Sequence, residues 1–165
     1  MKIELTHIAP YLPYGVKIYP YQKGDIFKEL HAAIIMLFVD GFFDRKITLR
    51  PLSDLIEEVE HNGERFVPIL ELFKISLGIN NVMLSEITYH NQPHQLHFKI
   101  TNPDQGVYKK RGSFYFDGQA FSLYIDQAIH VSNQLEMFQK LFEWHFDVFG
   151  LIEKGLVLDI NKTFK

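Results

Sequence analysis

The stretch VMLSEITYHNQPHQLHFKIT, residues 82–101, constrains the fold of this chain more than any other segment. A turn at residues 91–94 lays strand 82–90 against 95–101. Ile87 then faces Phe98 and Tyr89 faces Leu96 on one side, while Glu86 falls opposite Lys99 and Thr88 opposite His97 on the other. A slip of one residue would send every apolar side chain to the polar face. One register gives an apolar face, a polar face and a charge pair across the strands. An antiparallel hairpin follows, with Ile87, Tyr89, Leu96 and Phe98 expected to be buried.

A second hairpin is read in RGSFYFDGQAFSLYID, residues 111–126, about the favoured two-residue turn Asp117-Gly118. This register pairs Phe114 with Phe121, Phe116 with Gln119, and Gly112 with Leu123. Phe114, Phe116, Phe121, Leu123 and Ile125 make an inner face. Lys109, Arg111, Tyr115, Tyr124 and Asp126 make an outer one.

Elsewhere the period changes. Leu52, Leu55, Ile56 and Val59 recur at helical spacing, with Ser53 as N-cap and Asn62-Gly63 as a stop, so a helix is expected over about 53–61. FVPILELFKISLG gives another over about 67–77, with Pro68 in its first turn and Gly78 at its end. Glu57, Glu58, Glu60 and Glu64 read as a solvated acidic face. The segment near the end, LFEWHFDVFGLIEKG, is rich in aromatic residues. Wound as a helix over about 133–149, it gathers Glu136, Gln139, Lys140, Glu143 and Asp147 into one polar arc, and Gly150 ends it. Phe138, Phe142, Trp144 and Phe149 then belong to the core. The first fifty residues read as extended: a turn at PYLPYG (10–15), a short strand from Val16 to Tyr21, and a central strand from Glu29 to Val39. The fold expected is a single α+β domain over 1–165, its antiparallel sheet built from hairpins 82–101 and 110–126 and covered by the three helices.

A chain of 165 residues with 47% hydrophobic content has enough apolar material for a core. It has no cysteine, which excludes disulfides, thiolate metal sites and cysteine nucleophiles, and suits a reducing compartment. The formal net charge of −3 supplies no overall field for nucleic acid. The start shows no apolar leader, and the most apolar run, AAIIMLFV (32–39), is shorter than the ~20 residues of a membrane helix. A cytosolic protein without membrane contact is expected.

Catalytic signatures are missing: no phosphate-binding glycine loop, HExxH or GxSxG occurs. His90, His94 and His97 form the best metal candidate. Solvated hairpin histidines are favoured over a zinc site, so no metal and no cofactor is assigned. His145 lies on the apolar side of the last helix and is read as a ring hydrogen-bonded to a backbone carbonyl. The preferred binding surface is Lys109, Arg111, Tyr115 and Tyr124, within a basic-aromatic stretch whose Arg111-Gly112 matches only part of an RNA-recognition strand. The plainer reading of Arg111 is a cross-strand cation–π contact with Tyr124.

Three segments, APYLPYG (9–15), LRPLSDL with EHNGERFVPI (49–69) and FEWHFDVFGLIEKGL (142–156), together resemble a group of uncharacterised proteins encoded in phages and prophages of Bacteroidetes-type bacteria. The resemblance covers the two ends and residues 49–69. It implies a phage-borne protein of the bacterial host cytosol, and it carries no catalytic residues with it. The function expected is a non-enzymatic binding protein acting on a host or phage macromolecule, such as an inhibitor of a host defence system of the CRISPR nuclease type. The alternatives are a nucleic-acid-binding accessory factor of phage replication or recombination and, behind it, a histidine-metal hydrolase. A protein or ribonucleoprotein partner is preferred to free nucleic acid, and no oligomeric state is assigned.

Overall fold

A computed structural model describes residues 3–19, 46–77, 83–90, 94–101, 109–126, 128–130 and 133–163. The strand expected at Glu29–Val39, and Gly78, lie outside them. The architecture is α+β with a large antiparallel sheet, and the chain divides into two compact units, residues 53–140 and residues 1–52 with 141–165.

The central unit contains the hairpin β3 (Val59–His61) and β4 (Glu64–Phe66), helix α2 (Pro68–Leu77) and a sheet of order β5-β6-β7-β8-β9. Its strands are β5 (Met83–His90), β6 (His94–Thr101), β7 (Lys109–Phe116), β8 (Phe121–Ile125) and β9 (Ala128–His130). Helix α3 (Gln134–Glu143) begins in this unit. Leu96 and Phe98 of β6, Phe114 and Phe116 of β7, and Phe121 and Leu123 of β8 are all buried on one face of the sheet. Phe73 of α2 packs on Phe98 and Phe114, with centroids 4.3 and 5.8 Å away. Phe138 of α3 meets Phe116 and Phe121 edge-on. The density of Phe in the sequence is the density of this core.

Two registers need correction. β5 and β6 pair Thr88 with His97 and Tyr89 with Leu96, as the alternation required, but beyond a bulge Ser85, not Glu86, faces Lys99. Glu86 takes a left-handed φ of 53°, so that it and Ile87 together oppose Phe98. The Glu86–Lys99 ion pair forms across the bulge. Ile87 and Tyr89 are not buried: each is 36% exposed on a strand with β6 as its sheet neighbour. In the second hairpin Phe116 pairs with Phe121, Phe114 with Leu123 and Gly112 with Ile125, across a four-residue loop at 117–120. Asp117 Oδ1 accepts from the Gln119 and Ala120 amides, and this side-chain turn replaces the expected two-residue one. The shift is two residues, an even number, so each side chain keeps its face.

The helix expected at 53–61 is also corrected. Leu52–Ile56 forms one 3₁₀ turn, and the chain then enters the β3–β4 hairpin, pairing Val59 with Phe66 and His61 with Glu64. Asn62 (φ 52°) and Gly63 (φ 84°) are its type I′ corner. Helix α2 matches its expected bounds; Pro68 opens it, and Ile69, Leu72 and Phe73 are buried.

In the other unit, helix α1 (Leu5–Ile8) and a 3₁₀ turn (Ala9–Tyr14) replace the extended start expected there. Strands β1 (Ile18–Tyr19), β2 (Lys46–Leu49) and β10 (Leu158–Asp159) form a small sheet in the order β1-β2-β10, followed by helix α4 (Ile160–Thr163). Ile8, Tyr11, Val16, Ile18, Ile47, Leu49, Leu151 and Val157 make its core, with Phe142 and Phe149 packed against it.

Candidate interaction face

The outward side of the large sheet carries Arg111, Tyr115 and Tyr124 of the four surface residues expected from the sequence. Lys99 pairs with Arg111, and one cross-strand row runs Thr88, His97, Ser113, Tyr124 and Ile129. A second row runs Gln95, Tyr115 and Ser122. The alternation that buries Phe114 and Phe116 turns Arg111, Ser113 and Tyr115 away from the core. Arg111 is exposed, and Tyr115 and Tyr124 are half-buried. Lys109 begins the same strand, and its side chain lies outside the described residues.

The aromatic partner of Tyr124 is Tyr115. The rings stack at 5.6 Å with planes 12° apart, and their hydroxyls are 3.0 Å from each other. That hydrogen bond raises the Tyr124 phenol above its ordinary 10.0. A diagonal pair of this kind is fixed by two strands, which pre-orients both rings at little entropic cost. Beside it, His97, Arg111, Gly112, Ser113, Tyr124 and Asp126 line a shallow depression of ≈ 310 Å³. An adjoining one of ≈ 330 Å³ shares His97, Arg111 and Gly112 and extends to Glu86, Thr88 and Lys99. The face therefore offers stacked phenols, a guanidinium, an ammonium already paired to a carboxylate, and imidazoles. Its floor is low because Ser113 and Ser122, in the outward rows, are small.

The three candidate histidines are divided by the register. His90 and His97 share the outward face, their rings 4.9 Å apart and nearly perpendicular at 84°. His94 falls in step with Leu96 and Phe98, which point into the core. Burial lowers the His94 pKa; burial and then the neighbouring His90 lower that of His97. Among the described residues no group of three or more His, Asp or Glu side chains is placed to hold a metal ion.

A second polar cluster, which the sequence did not reveal, lies in the other unit. Helix α3 ends at Glu143, not at 149. His145, with φ 60°, occupies the left-handed position that follows a helix, and its amide and that of Phe146 return to the carbonyls of Phe142 and Leu141. The His145 ring Nε2 donates to the Tyr14 carbonyl at 2.9 Å, the structural role expected for it. Asp147, placed by the helical wheel in the wet arc, is instead 4% exposed. Its carboxylate accepts from the Leu151 and Ile152 amides at 2.8 and 2.7 Å. Burial raises its pKa, and those two amides oppose the shift. The fully buried Tyr11 hydroxyl donates to the Phe146 carbonyl at 2.7 Å and accepts from the Val148 amide. These bonds end on the backbone and hold a turn in place. Trp144 is buried as expected, whereas Phe138, Phe142 and Phe149 are only half-buried. The aromatic segment 141–155 is thus mainly core and cap.

No family model, curated protein or solved structure matches this chain. Among the described residues no helix is long and apolar enough to cross a membrane.

Proposed function

We propose that this chain is a non-enzymatic binding protein that docks a protein or ribonucleoprotein partner on the outward face of its large sheet. The observation that carries the reading is the stacked Tyr115–Tyr124 pair beside the exposed Arg111, above the small residues Ser113 and Ser122. Tyrosine and arginine supply most of the binding energy at protein interfaces, because each combines large contact area with directed hydrogen bonds. The occupant that fits is a folded protein surface bringing a carboxylate to Arg111 and apolar atoms to the tyrosine rings. In the setting implied by the phage resemblance, that partner belongs to the cytosol of the bacterial host, and a component of a defence complex such as a CRISPR nuclease is the specific case proposed.

The test is affinity capture from host lysate, followed by titration of the purified partner. Arg111→Ala, Tyr115→Ala and Tyr124→Ala are each expected to weaken the complex by about 2 kcal/mol or more. A Glu136→Ala change on the exposed side of α3 should leave it unaltered. Equal affinity in all four variants would remove the sheet face from the interface.

A further inference from the structure

The geometry points to a solvent-facing two-histidine site, His90 with His97, for a divalent late first-row transition metal. The sequence places these residues diagonally, on neighbouring strands of one sheet face, since His90 pairs with Gln95 and His97 with Thr88. Side chains so related across two strands start ~7 Å apart. Their rings have converged to 4.9 Å with planes at 84°. A metal bound by an imidazole nitrogen at about 2.0–2.1 Å lies about 3.2 Å from that ring's centroid. Two centroids 4.9 Å apart lie within the roughly 6.4 Å that two rings ligating one ion can span, so turning the rings out of their edge-on contact brings a nitrogen of each to a shared ion.

The chemistry of the pair agrees with its geometry. Neutral imidazole binds copper, nickel and zinc and competes poorly for magnesium or calcium. Lys99, the nearest cation along β6, is held by Glu86 in an ion pair, which moderates its repulsion of an incoming ion. His94 is on the other face and takes no part. Two protein ligands leave the remaining positions to water. The site is therefore a binding site without an assigned reaction, and it stands or falls independently of the docking reading.

Calorimetric titration of the full chain with Ni²⁺ at neutral pH tests it. One ion per chain is expected. Removal of one supporting hydrogen bond around a metal costs ~10–100-fold in affinity, so loss of a ligand in His90→Gln or His97→Gln should cost at least about 10-fold. His94→Gln should bind as the parent does, and melting curves of the variants establish that each is folded. With Zn²⁺, nitrogen NMR of the imidazoles should report coordination at residues 90 and 97 and leave 94 unmoved. No saturable Ni²⁺ binding, or binding unchanged in both the His90 and His97 variants, would overturn the site.

Discussion

Gly112 sits at the contact between strands β6, β7 and β8 on the buried side, where the ring of Phe98 crosses over it. A Cβ at this position would lie 2.5 Å from Phe98 Cζ and 2.7 Å from the Tyr124 carbonyl oxygen. One of those neighbours is backbone, so it cannot step aside. Gly112→Ala is therefore expected to cost about 1–3 kcal/mol, the range of overpacked cores, measured as a fall in the urea midpoint at constant slope. Pairing it with Phe98→Leu should recover part of the loss. Asp147 gives a prediction in pH. Its pKa is raised above the ordinary 3.8 by burial, so between 3.8 and its folded value the native state binds a proton that the unfolded chain lacks. Stability then decreases as pH rises through that window, because the slope follows protons bound unfolded minus protons bound native. The stability of the parent minus that of D147N should fall with rising pH there. If the difference grows instead, the amides of Leu151 and Ile152 outweigh burial.

At the scale of elements, what was legible depended on whether two local signals agreed. Residues 82–101 carried both a turn and an alternation, and the strand pairing follows them at Thr88–His97 and Tyr89–Leu96. The bulge at Glu86 could not be read, since one extra residue leaves composition unchanged and only displaces later partners. In residues 52–63 the signals conflicted. Leu52, Leu55, Ile56 and Val59 keep helical spacing, but Asn62-Gly63 is the preferred type I′ corner, and the turn prevails because both residues accept positive φ. The end of α3 was hidden for a related reason: a glycine was expected at the left-handed position, and a histidine holds it. The His145 bond to Tyr14 compensates for that backbone cost. A β-branched residue at positive φ meets a larger steric penalty and makes no such bond. His145→Val should consequently lower stability by about 2 kcal/mol or more, seen in thermal unfolding. A neutral result would show that the helix end relaxes to another cap.

For the whole molecule, charge is what makes the two classes of partner weighed from the sequence testable against each other. The chain carries 17 basic and 20 acidic residues, and its candidate face mixes Arg111 and Lys99 with Glu86 and Asp126. The face itself was legible as far as Arg111, Tyr115 and Tyr124, which alternation alone puts outward. The stacking of the two phenols was not, because it depends on a register that the loop at 117–120 sets. A surface that grips nucleic acid gains much of its affinity by releasing counterions from phosphates, and a site with several such contacts weakens steeply as salt rises. Here the carboxylates of Glu86 and Asp126 would repel the same phosphates, and the net charge of −3 gives no long-range attraction to offset them. The isolated protein is thus expected to show no submicromolar binding to single-stranded DNA or RNA at physiological salt. Its complex with a protein partner should lose affinity only modestly between low and physiological salt, because the tyrosine contacts are indifferent to counterions. Fluorescence anisotropy with labelled oligonucleotides across a salt series measures the first. If tight binding appears whose logarithm falls linearly with that of salt, and Arg111→Ala reduces that slope by about one contact, the sheet face is a nucleic-acid surface and the protein-docking proposal is wrong.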